Sequence, residues 1–61
     1  GPGALVPAGR RYAAAYPNVG AAHRLAGEVL VSLGGDSLTR AEGRRELETA
    51  RRIEAAAGGE R

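Results

Sequence analysis

Apolar residues recur along this 61-residue chain at spacings of three and four, the signature of helices that bury one face. From about residue 19 to 33, the stretch VGAAHRLAGEVLVSL puts Ala22, Leu25, Ala26, Val29, Leu30 and Leu33 on one stripe. Asn18 stands where an N-cap is expected, offering a side-chain oxygen to the N–H groups two or three residues on. Gly34-Gly35 predicts the stop, since glycine enters the left-handed conformation after a helix at little cost. Thr39 and Glu42 fit the spacing of a capping box, with Asp36 or Ser37 as alternative caps, and predict a second long helix over about 39–57. Its stripe is Leu47, Ala50, Ile53 and Ala57, entered by Leu38 and Ala41. Glu48 precedes Arg52 by four residues, the favourable order for a helical ion pair. Nothing alternates with period two, so no strand is predicted.

Upstream, residues 1–9 contain Pro2, Pro7 and three glycines and read as a flexible lead-in. Gly1-Pro2-Gly3 looks like the scar of a tag-removal protease. Residues 10–16 (RRYAAAY) predict a short, weak leading helix that ends before Pro17, because the residue preceding a proline avoids the α region. The expected organisation is therefore a lead-in over 1–9, a helical module over 10–58 and a tail over 59–61. A connector of about five residues sets the two long helices antiparallel. The fold class is all-α, a helical hairpin with a weak leading helix. Val31 lies off the main stripe, so the first long helix is apolar over more than one seam requires. The surplus predicts a further helix, from a partner or a second copy. Gly27 would let another backbone approach closely.

Composition sharpens that expectation. There are thirteen Ala and two Tyr, only eleven Leu, Val or Ile, and no Phe, Trp or Met. Chains this short usually need staples, and without Cys neither a disulfide nor a thiolate zinc site is open to this one. Completion from outside the chain is the expected remedy, which also fits a fragment of a longer protein. All nine basic residues are Arg, and with the Ala and Gly excess this points to a high-GC bacterial source. No apolar run reaches the roughly 18 residues of a membrane span, and no basic start leads into an apolar stretch. A cytoplasmic location is expected.

The sharpest chemical signal is Leu33-Gly34-Gly35-Asp36-Ser37-Leu38-Thr39. It resembles the attachment motif of phosphopantetheine carrier domains in modular polyketide and non-ribosomal peptide synthases. Asp36, Ser37, Leu38, Thr39, Glu42, Arg44 and Leu47 continue the order common in polyketide carriers. The resemblance implies a four-helix carrier with the prosthetic arm on Ser37, at a helix start that suits phosphate. Only 24 residues follow Ser37, too few for the family's later helices, and Gly43 stands where that family has an aliphatic residue. Gly-Gly followed by Asp-Ser-Leu-Thr is also ordinary punctuation between two helices.

His23 has no Cys and no second His for company, so metal binding is not expected; it reads as a partly exposed helical side chain beside Arg24. No nucleophile–His–acid set and no phosphate loop can be assembled. Catalysis is not expected, and no cofactor beyond phosphopantetheine on the carrier alternative. Three Arg pairs and a pI near 9.9 raise nucleic-acid binding as another alternative. Against it, the formal charge is only +2 and acids interleave with the Arg residues of the last helix. Tyr12 and Tyr16 share a face and offer anchors to a partner. The reading these features favour is a non-catalytic docking module that recognises a helical protein partner, of the kind that joins subunits of a modular synthase. Leu25, Val29, Leu30, Leu33, Leu47 and Ile53 would make the contact. Arg44, Arg45, Glu48, Arg51 and Arg52 would form a charged rim that selects the partner.

Overall fold

The structure, a computed structural model, describes residues 1–59; the tail residues Glu60 and Arg61 lie outside the described residues. It contains a 3-10 turn over Pro2–Ala4 and three helices, α1 (Leu5–Ala15), α2 (Gly20–Leu33) and α3 (Ser37–Gly59). No strand occurs among the described residues. The predicted hairpin is present as α2 and α3, and α2 is the central element, packed by α3 and, separately, by α1. Gly27 faces Gly43 while Gly20 faces Ala50 and Glu54, the register of an antiparallel pair.

That pair closes through a reciprocal glycine contact. A Cβ on Gly27 would lie 2.8 Å from the Gly43 carbonyl oxygen and 2.6 Å from Leu47 Cγ, and one on Gly43 would lie 2.9 Å from the Gly27 carbonyl oxygen. The two backbones touch, and only hydrogen fits between them. Ala22, Ala26 and Ala50 are buried around this crossing, and Leu30 is the largest side chain wholly enclosed. The shortage of large apolar residues thus appears as close approach. Short side chains bring the helices together, and many weak dispersion contacts form where bulky residues would otherwise fill a wider gap. Arg24 on α2 also pairs with Glu54 on α3.

The turns differ in detail from expectation. Asn18 does not cap α2. The N-cap is Val19 in extended conformation, with no side-chain bond, and its carbonyl accepts from the Ala22 and His23 N–H groups while its N–H donates to the Tyr16 carbonyl. The turn is closed by backbone alone. At α3 the cap is Asp36, whose Oδ1 accepts the Thr39 N–H at 2.7 Å and whose Oδ2 accepts the Thr39 hydroxyl at 3.2 Å. The helix therefore starts at Ser37, before the anticipated capping box, and Glu42 is free to pair elsewhere. Gly35, at φ 86°, takes the left-handed conformation that turns the chain.

The leading helix starts at Leu5, within the stretch expected to be flexible. Pro7 falls in its first turn, where backbone N–H groups have no intrahelical acceptor and the ring costs nothing. Gly9 and Ala13 are buried and seat the helix on α2. Tyr16 leaves the helix at φ −128°, as its position before Pro17 requires. No helix among the described residues is long and apolar enough to cross a membrane.

Candidate functional site

The small residues that seat α1 also determine what surrounds them. A Cβ on Gly9 would stand 3.4 Å from Ala26 Cα, so the two helices are close at that point. Their larger neighbours cannot fit between and remain at the sides. Leu5 and Tyr12 from α1, with Leu25 and Val29 from α2, line an open apolar groove of about 330 Å³ based on Ala8 and Gly9. Leu5 is 51% exposed, Leu25 49% and Tyr12 38%, substantial values for side chains of this polarity. Tyr16 meets Tyr12 edge to face, with ring centroids 5.4 Å apart, and extends the apolar strip along α1.

On another side of α1 lies a polar clasp. Arg10 Nε donates to both Glu42 carboxylate oxygens at 3.2 and 3.0 Å, and Nη2 donates to Oε1 at 2.8 Å, tying α1 to α3. This fork holds the Glu42 carboxyl below its ordinary range, chiefly through the hydrogen bond from Arg10. His23, expected to be partly exposed, is buried. Its Nδ1 lies 2.5 Å from Glu46 Oε1 and its Nε2 lies 2.8 Å from the Pro17 carbonyl oxygen. Both ring nitrogens face acceptors, and only the doubly protonated imidazolium donates to both. The bond to Glu46 first, and that to Pro17 second, raise the His23 pKa above its usual value, against the opposing effect of burial. Through these two bonds His23 links α2, the α1–α2 turn and α3; among the described residues no group of three His, Cys, Asp or Glu could hold a metal ion.

The six side chains expected to meet a partner do not share one face. Leu25 and Val29 line the groove, and Leu33 stands 36% exposed near the end of α2. Leu30 is entirely enclosed, because the side of α2 that carries it is the side α3 covers. Leu47 packs against Gly27 in the seam, and Ile53 is half-buried on α3. Arg44, Arg45, Arg51 and Arg52 are exposed on α3, with Glu48 bonded to Arg51 and 3.6 Å from Arg52 Nε. They lie on a different helix from those that form the groove. Leu5 is the groove-lining residue that the sequence pattern had not marked. Its signal was the spacing Leu5, Ala8, Gly9, Tyr12, Tyr16, hidden by reading Pro7 as a helix breaker. Ser37 is the exposed first residue of α3, and a single uninterrupted helix follows it. The preceding Asp36 carboxylate is held down in pKa by the Thr39 backbone bond. No family model, no curated protein and no solved structure matches the chain.

Proposed function

We propose that this chain is a non-catalytic docking module whose α1–α2 groove receives the apolar face of a helix from a partner protein. The observation that carries the reading is the groove itself, where Leu5, Tyr12, Leu25 and Val29 surround a base of Ala8 and Gly9. Large side chains flanking small ones accept knobs spaced three and four apart on an incoming helix. That helix would complete a four-helix arrangement around α2 and cover the aliphatic and aromatic surface that α1 leaves open. The likeness of Leu33 to Thr39 to carrier attachment motifs supports a setting between subunits of a modular synthase.

Amide NMR spectra test this with a panel of amphipathic helical peptides carrying Leu at successive three- and four-residue spacings. A concentration series of the chain alone, from about 10 µM to about 1 mM, covers weak association with a second copy. Shifts concentrated at Leu5, Ala8, Tyr12, Leu25 and Val29, and lost in Leu25→Asp, are expected. Spectra unchanged by every peptide and by concentration would overturn the proposal. The exposed position of Ser37 at a helix start favours the carrier as the second reading. A mass gain on incubation with coenzyme A and a phosphopantetheinyl transferase, abolished by Ser37→Ala, would assign it.

A further inference from the structure

The last helix looks charge-balanced in sequence, and folding sorts its charges. Glu42, Glu46 and Glu54 turn toward the rest of the molecule, where Arg10, His23 and Arg24 engage them. What remains on the outer side of α3 is Arg44, Arg45, Arg51 and Arg52, all exposed, with Arg40 half-buried before them. One acid lies among them, Glu48, clamped by Arg51 and Arg52. Once the helix is packed, three of its acids therefore no longer stand among the outer arginines. From Arg44 to Arg52 the stripe runs about 12 Å along the axis at 1.5 Å per residue.

The geometry points to a second interaction surface, in which the outer side of α3 binds the phosphate backbone of a nucleic-acid duplex. One feature favours this partner over an acidic protein. Guanidinium groups pair with phosphate and carboxylate oxygens alike, so the choice rests on what stands among them. Between Arg44 and Arg52 the outer side holds no aromatic or large aliphatic side chain, the centre that a protein interface requires; Leu38, 82% exposed, lies beyond its N-terminal end. Affinity would come from the release of counterions, which makes it steeply dependent on salt. The surface is separate from the groove and does not rest on it.

Fluorescence anisotropy of a labelled 20-base-pair DNA duplex, titrated with the full chain at about 20 to 200 mM salt, tests the inference. Four phosphate contacts give a slope of log affinity on log salt near −3.6, or roughly 100-fold weaker binding at 200 than at 50 mM. Arg44→Gln with Arg45→Gln, and separately Arg51→Gln with Arg52→Gln, should each weaken binding and flatten the slope by about two contacts. These side chains face solvent, and circular dichroism checks that helicity is kept. Leu25→Asp, in the groove, should leave duplex binding unchanged. No anisotropy change at 20 mM salt, full affinity in both arginine pairs, or equal competition by poly-glutamate would overturn the inference.

Discussion

α2 is joined on one side to α3 and on another to α1, by different means. Toward α3 it closes with backbone against backbone at Gly27 and Gly43, with Leu30 enclosed and alanines around it. Toward α1 it meets Gly9 with Ala26 and Val29, and Ala13 is buried in the same helix; the Arg10–Glu42 fork ties α1 to α3, and His23 bonds the Pro17 carbonyl just after α1. The first contact closes chiefly by shape, with the Arg24–Glu54 and His23–Glu46 pairs beside it. Its glycine crossing tolerates no added atom. The second contact accepts small changes in volume and responds to protons. α1 also forms one wall of the groove.

The largest expected effect tests the seam. Leu30→Ala should cost about 2–5 kcal/mol through lost burial and the cavity left behind. A single core this small supplies only ~3–5 kcal/mol, so urea and thermal melts should show a chain mostly unfolded. A melt equal to the parent would mean that α3 does not depend on this residue. Next comes Gly27→Ala, whose new methyl meets a carbonyl oxygen at 2.8 Å and Leu47 at 2.6 Å. Overpacking of this kind costs about 1–3 kcal/mol. Gly58→Ala has no neighbour within 4 Å of its new methyl and should instead gain up to ~1 kcal/mol from helix propensity. The opposite signs of two Gly→Ala changes would separate close approach from propensity. Smaller again is Leu25→Asp, on the open side of α2, which should change stability by no more than about 0.5 kcal/mol, as for most surface substitutions.

The seam was more legible in the sequence than the groove. Periodicity places α2 within one residue of its observed start, and Gly27 within it already points to close approach, though nothing along the chain names Gly43 as its partner. The start of α1 is hidden because Pro7 and three glycines count against a helix by composition, while a proline in a first turn and a glycine under a neighbouring helix are each favourable by position. His23 was read as partly exposed because its acceptors, Glu46 and the Pro17 carbonyl, lie on two other segments, and no spacing rule connects them. The same holds for the arginine stripe. Along the chain Glu and Arg alternate, and only the pairing of Glu42, Glu46 and Glu54 with residues of α1 and α2 shows which charges face solvent.

The smallest effect, a few degrees in melting temperature, sharpens the comparison most, because the two ends of the pH scale act on different groups. The His23 pKa is raised above 6.5. Its contribution is therefore complete below about pH 6.5 and is lost as pH rises through the raised value, where the ring can no longer donate to both oxygens. The Glu42 and Asp36 carboxyls lie below their ordinary 4.5 and 3.8; their contributions are complete above those values and are lost as pH falls through the lowered ones. Stability should thus have a plateau between about pH 5 and 6.5 and fall on both sides. The alkaline decline belongs to His23, which bonds Glu46 on α3 and the Pro17 carbonyl just after α1. His23→Gln should remove it and leave the acid decline, and amide exchange at pH 8 should quicken around His23 and the α1–α2 turn. A melting temperature that climbs steadily from pH 6 to 9, or an alkaline decline unchanged in His23→Gln, would show that the His23 proton holds neither link. Where the Pro17 bond is lost, the end of α1 is freed from α2, so helix binding in the groove should weaken over the same alkaline range.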